Sequence, residues 1–133
     1  MTRRMLDTNV IGYLMRKNPL IARRLVDLPT SQVCASVVTE GEIRFGLAKH
    51  SGNAGLAAAV DAFFSTIEVL SWTRATAKVY GQMRADLERR GRPLAPLDMM
   101  IAAHAVEAGA ILVTSDRTLL AAPGVACENW LAA

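Results

Sequence analysis

Four acidic side chains in this sequence occupy places where a parallel α/β sheet would bring them together. Asp7 closes an apolar opening run, Glu42 lies within a helical stretch, Asp98 follows Pro96 at the head of a late helix, and Asp116 comes just after the apolar run 110–114. Singly, three of them have ordinary explanations. Asp7 and Asp116 can cap helices, and Asp98 can be a first-turn acid favoured by the helix dipole. Glu42 is harder to dismiss, because it shares a helical face with Val38, Phe45 and Gly46. That face implies partly buried surroundings, where a lone carboxylate needs a partner. Glu40 competes with it for the same role, and periodicity alone does not choose between the two. Acids meeting at one sheet edge repel unless a divalent cation joins them, and carboxylate oxygens are the hard ligands such a cation takes. The chemistry expected of the set is that of a metal-dependent enzyme.

The elements that must position these acids can be read from local punctuation. Arg4-Met5-Leu6 reads as a strand ending at Asp7, and Asp7-Thr8-Asn9 opens a helix to about Arg16. Pro19 opens a second helix, with Leu20, Ile21, Leu25 and Leu28 as its apolar face. Gln32 to Ala35 reads as a strand, and Ser36 caps a helix running to about His50 that ends in Ser51-Gly52-Asn53. A helix over about 54–65, a strand over 67–70 and a long helix from Thr73 to about Arg90 follow, the last closed by Gly91. Leu97 to Ala108 is a helix closed by Gly109, and Ala110 to Thr114 is the clearest strand, with the unbroken apolar character of a strand covered on both faces. A helical turn over 118–121 and a short strand over 125–127 finish the pattern. Strands alternating with helices predict a three-layer α/β domain whose central, mostly parallel sheet is flanked by helices. Ligands of such sheets sit outside the carboxyl ends of the strands, where Asp7 and Asp116 fall. The absence of a linker or repeat predicts a single domain over residues 1–133.

Composition narrows the function classes. The chain of 133 residues is 52% hydrophobic and 20% charged, which excludes a disordered protein. The arginines before Met5 and Leu6 imitate a signal peptide, but the apolar run stops at Asp7, too soon for one. No segment has the length of a membrane span, so a cytoplasmic protein with reduced Cys34 and Cys127 is expected. The two histidines, His50 and His104, lie far apart and no CxxC is present, which argues against zinc. The net charge is +3, carried mainly by arginine (Arg3, Arg4, Arg16, Arg23, Arg24, Arg44, Arg84, Arg89, Arg90 and Arg92 among others). With four acids neutralised by metal, the remaining surface suits a polyanion.

At this point a family resemblance becomes specific. Met5-Leu6-Asp7-Thr8-Asn9, Glu42-Ile43-Arg44-Phe45-Gly46, the stretch Pro96-Leu97-Asp98 to Ala105, and Leu112-Val113-Thr114-Ser115-Asp116 resemble, in order, the four signatures of PIN-domain ribonucleases. More narrowly, the chain looks like a VapC-type toxin of a bacterial toxin–antitoxin pair. The resemblance selects Glu42 over Glu40, because the family's second acid is followed by an aliphatic residue and, four positions on, a glycine. It carries the acidic role onto Asp7, Glu42, Asp98 and Asp116, with Thr114 and Ser115 as polar neighbours able to share the fourth position. Past Asp116 the family often shows an acid followed by Phe; Thr118-Leu119-Leu120 stands here instead.

What the resemblance implies is an Mg²⁺-dependent endoribonuclease, with Mn²⁺ as a substitute, cutting an RNA of the translation machinery. Magnesium keeps several waters and uses few direct carboxylates. Asp7 and Asp98 are accordingly expected as direct ligands, with Glu42 and Asp116 acting through water. Thr8 and Asn9 either support Asp7 by hydrogen bonds or serve as ordinary helix-capping residues. The implied partners are the RNA substrate, a homodimeric second copy and a small cognate antitoxin that covers the acidic groove. Two rivals remain at this stage: a phosphoacceptor signalling domain and a non-catalytic binding module of the same fold. The first needs a late lysine at a strand end, whereas Lys17, Lys49 and Lys78 are the only lysines and none follows a late strand. The second sits poorly with the presence of all four acids.

Overall fold

The computed structural model describes residues 2–50 and 52–132. Five strands, β1 (Arg4–Leu6), β2 (Val33–Ser36), β3 (Glu68–Leu70), β4 (Ile111–Val113) and β5 (Cys127–Glu128), form one sheet in the order β3-β2-β1-β4-β5. Every pairing is parallel, so the expected mostly parallel sheet is fully parallel among the described residues. The helices are α1 (Thr8–Met15), α2 (Pro19–Val26), α3 (Val37–Lys49), α4 (Ala54–Thr66), α5 (Arg74–Arg89), α6 (Pro96–Ala108) and the short α7 (Arg117–Leu120). Between α2 and β2 the chain makes a 3₁₀ turn, Thr30–Gln32. The predicted break at Ser51-Gly52-Asn53 includes Ser51, which lies outside the described residues; α3 itself ends at Lys49 with His50 as its C-cap.

The caps behave as their chemistry requires. Asp7, Asn18, Ser36 and Asp116 each accept hydrogen bonds from the first-turn amides of the helix they precede. Thr73 and Thr76 form a reciprocal capping box at the start of α5. Gly109 ends α6 at φ 65°, a left-handed conformation costly for other residues.

Alternation along the strands builds the three layers. Leu6, Val33, Ala35 and Val113 point to one face and pack with Val10, Ile11, Ile21, Val60 and Phe64 from α1, α2 and α4. Met5, Cys34 and Leu112 point to the other, against Ile101, Ala102 and Ala105 of α6. The small residues below Asp98 thus lie on the sheet-facing side of α6, which lets that helix approach closely. The α2 face differs from expectation: Ile21 is buried, but Leu20 stays 39% exposed.

Because β1 pairs with β2 on one side and β4 on the other, the strand order reverses between β1 and β4. A crevice opens at the carboxyl ends of the strands flanking such a reversal. Asp7 follows β1 there, and Thr114 follows β4.

Candidate active site

Asp7 sits at the bottom of the crevice, only 4% exposed. One carboxylate oxygen accepts the Asn9 amide at 2.6 Å, and the other accepts the Thr114 hydroxyl at 2.5 Å. Burial outweighs these hydrogen bonds and raises the Asp7 pKa above the ordinary carboxylate value, with Asp116 adding to the rise. Thr114 also accepts the Asp116 amide at 3.0 Å, so one hydroxyl joins the first acid to the fourth. Thr114, one of the two residues named as able to share the fourth position, is a fully buried bridge between the two acids.

Asp116 caps α7, and its Oδ1 accepts from the Thr118 hydroxyl and amide at 2.5 and 2.8 Å. The Thr118 hydroxyl bond holds its pKa below the usual value. These bonds favour the charged form of Asp116. Thr118, where the resemblance expected an acid, braces that charge.

Glu42 points from α3 toward α1, where its Oε1 accepts the Thr8 hydroxyl at 2.6 Å. Thr8 therefore supports Glu42 rather than Asp7, which corrects the expectation; Asn9 does support Asp7, through its main-chain amide. Glu40 turns to the surface, where Arg44 pairs with it at 3.0 Å. The choice of Glu42 thus has a geometric counterpart. The helical face expected around Glu42 is only half as predicted, because Phe45 is 67% exposed.

Asp98 lies in the first turn of α6, partly buried. Its pKa rises from 3.8 to about 6, first through burial and then through the charges of Asp116, Asp7 and Glu42. The acids from four separate segments therefore share one electrostatic field at the carboxyl edge of the sheet. The set is open rather than a finished cage: among the described residues no group of three His, Cys, Asp or Glu side chains is gathered tightly enough to hold an ion. An all-oxygen, open donor set fits a hydrated hard cation such as Mg²⁺, which keeps several waters, better than it fits zinc. Thr39, three residues before Glu42, has a buried hydroxyl with no hydrogen-bond partner among the described residues, a further uncommitted polar group on the acid-bearing helix.

Beside Glu42 a groove of about 390 Å³ runs between α1, α3 and α4, walled by Tyr13, Ile43, Leu47 and Leu56, with Arg16 on its lining. Several arginines of the expected cationic surface are already paired: Arg3 with Glu68, Arg4 with Glu128, Arg84 with Glu88 and Arg89 with Asp86. Arg16 has no such acid partner among the described residues and stacks on Tyr13, 5.0 Å from the ring centroid.

Comparison with known proteins now decides the family. The model for the PIN domain matches residues 4–125. The chain belongs to the PIN-domain family. It is 37% identical over 127 residues to the "tRNA(fMet)-specific endonuclease VapC" of Salmonella typhimurium, covering 95% of this chain and 96% of that protein, which places it in the VapC group. Among solved structures it resembles the DNA-bound VapBC of Salmonella typhimurium, with a TM-score of 0.90, 37% identity, and 98% and 99% of the two chains covered. It also resembles VapBC2 of Rickettsia felis bound to a promoter DNA fragment, with a TM-score of 0.89, 27% identity, and 97% and 99% covered.

Sequence reasoning placed all four acids but missed the hydroxyl groups that hold them. Thr114 had been marked as a neighbour, and Thr8 had been assigned to the wrong acid. No helix among the described residues is long and apolar enough to cross a membrane.

Proposed function

We propose that this PIN domain, spanning residues 1–133, is the toxin of a toxin–antitoxin pair and acts in the cytoplasm as an Mg²⁺-dependent endoribonuclease. The observation that carries the reading is the meeting of acids at the carboxyl edge of the sheet, where Thr114 joins Asp7 to Asp116 and Asp98 stands in the first turn of α6, close enough to Asp116, Asp7 and Glu42 for their charges to raise its pKa. Four carboxylates held in one field, none of them in an ion pair among the described residues, call for a cation. In this reading Asp7 and Asp98 hold the ion directly, while Glu42 and Asp116 act through water; Mn²⁺ substitutes for Mg²⁺. When bound, the ion supplies positive charge to the scissile phosphate and lowers the pKa of water for in-line attack.

The remaining steps belong to the chain's own residues. Thr114 and the Asn9 amide hold Asp7 in one orientation, and Thr8 does the same for Glu42. Asp116, held by its bonds to Thr118, orients the attacking water through hydrogen bonds. Arg16, at the groove beside Glu42, holds a substrate phosphate. The substrate is single-stranded or looped RNA of the translation machinery. The name of the Salmonella relative, a tRNA(fMet)-specific endonuclease, supports that class.

The VapBC assemblies support a cognate antitoxin as partner. It covers the acidic crevice through a basic segment whose charge replaces that of the ion. A homodimer of this chain completes the proposed assembly.

The test is RNA cleavage by purified protein, with growth after induction read in parallel. EDTA stops cleavage, and Mg²⁺ or Mn²⁺ restores it. Asp7→Asn and Asp98→Asn abolish both cleavage and growth arrest while remaining folded. Cleavage that persists in EDTA, or a toxic Asp98→Asn variant, defeats the reading.

A further inference from the structure

His104 is fully buried, 1% exposed, in the middle of α6. Its Nδ1 lies 2.7 Å from the Ser36 hydroxyl, and the ring also hydrogen-bonds the Ser71 main chain. The neutral ring offers one donor and one acceptor, which these two partners, the Ser36 hydroxyl and the Ser71 main chain, together satisfy. Ser36 meanwhile accepts the Val38 amide at 3.0 Å, capping α3. Trp72 packs edge-on against the imidazole, with ring centroids 5.5 Å apart. A neutral imidazole, which burial favours over its charged form, therefore ties three segments together: the β2–α3 junction, the chain leaving β3, and α6.

The position of this tie gives it meaning. Met5 pairs with Cys34 on one side and Leu112 on the other. Two residues further along each strand, Ser36, Asp7 and Thr114 stand side by side at the carboxyl edge. Because side chains alternate across a sheet, all three face the layer that contains α6, as Met5, Cys34 and Leu112 do. Ser36 is thus the neighbour of Asp7 in the edge row and also the cap of the helix that carries Glu42. His104 belongs to the helix that carries Asp98. Beyond this bond, α6 is held by apolar packing, through Ile101, Ala102 and Ala105 on the sheet and through Met99 and Ala103 against Leu87, contacts that carry no directional bond between the acid-bearing segments.

We infer that His104 is a positioning residue for the acid cluster: its bond to Ser36 sets the distance of Asp98 from Asp7 and Glu42, and so the strength with which the cluster binds a divalent cation. The inference rests on the reading of the cluster as a cation site.

The test measures Mn²⁺ binding by electron paramagnetic resonance and RNA cleavage kinetics for wild type, His104→Phe and Ser36→Ala. Both substitutions remove the bond; Ser36→Ala also removes the cap of α3, so His104→Phe is the deciding variant and Ser36→Ala must move metal affinity in the same direction. The Mn²⁺ dissociation constant is expected to rise about tenfold or more, as when an outer partner of a metal ligand is lost. At a fixed low metal concentration kcat falls while KM for RNA is unchanged, and excess Mn²⁺ restores kcat. Folded variants that bind Mn²⁺ as wild type does overturn the inference, because a purely structural histidine alters stability without altering metal affinity. Should His104→Phe not fold, His104→Leu, which removes the bond and leaves the Ser36 cap of α3 in place, decides on the same criterion. Wild-type protein that binds no Mn²⁺ overturns the cation-site reading itself, and the positioning role falls with it.

Discussion

Replacing Asp98 by Asn should stabilise the metal-free protein, although it destroys the proposed activity. Asp98 is pushed from 3.8 to about 6 by burial and by three neighbouring acids. Each tenfold change in proton affinity corresponds to about 1.4 kcal/mol, so the folded state at pH 8 bears at most about 3 kcal/mol from this ionised carboxylate. The side chain is partly exposed, and solvent screening reduces the figure to about 1–2 kcal/mol. Losing a negative charge from the first turn of α6 offsets about 0.5 kcal/mol of the gain. The net expectation is about 1 kcal/mol of added stability at pH 8. The sign follows from linkage: the folded pKa lies above the unfolded one, so the wild-type penalty is absent below 3.8, grows as pH rises and is complete above about 6. At pH 5 the gain should shrink to about half. Urea unfolding in EDTA, followed through Trp72 and Trp130 fluorescence at pH 5 and pH 8, measures both values. Adding Mg²⁺ at about a hundredfold excess over its dissociation constant should stabilise the wild type by about 2.7 kcal/mol and the variant far less. An Asp98→Asn variant no more stable than wild type at pH 8, or one whose advantage is the same at pH 5, would refute the convergence of the acids.

Thr114→Val removes the hydroxyl between Asp7 and Asp116, leaving a buried acceptor and an amide without their partner. It should cost about 1–3 kcal/mol at pH 8 and less at pH 5, where Asp7 takes up a proton more readily; paired denaturation curves check this. Arg16→Ala should weaken RNA binding and reduce the slope of log affinity against log salt by about one, whereas Arg89→Ala, whose guanidinium pairs with Asp86, should leave both nearly unchanged; filter binding across a salt series distinguishes them.

The elements were largely legible because their ends carry strong local chemistry. Asp7, Ser36, Thr73 and Asp116 were read as helix starts, and the structure uses each of them as an N-cap. The strand at 110–114 was recognisable from its unbroken apolar character and is β4, one residue shorter at either end. Boundary errors fell where apolar residues continue past the last paired residue, as at Val125, which precedes β5. The exposure of Phe45 was not legible: helical periodicity says which residues share a face, not whether another element covers it.

By itself the sequence singled out four candidate acids, the succession of strands and helices around them and, through its motifs, the family. Each of those depends on residues close together in the chain. The tertiary structure alone decided the partners: Thr114 with Asp7 across 107 positions, Thr8 with Glu42 across 34, and Ser36 with His104 across 68. Such pairs are set by strand order and by the rotation of whole helices on the sheet. Those follow from the packing of two apolar layers at once, and no local spacing of residues records that outcome.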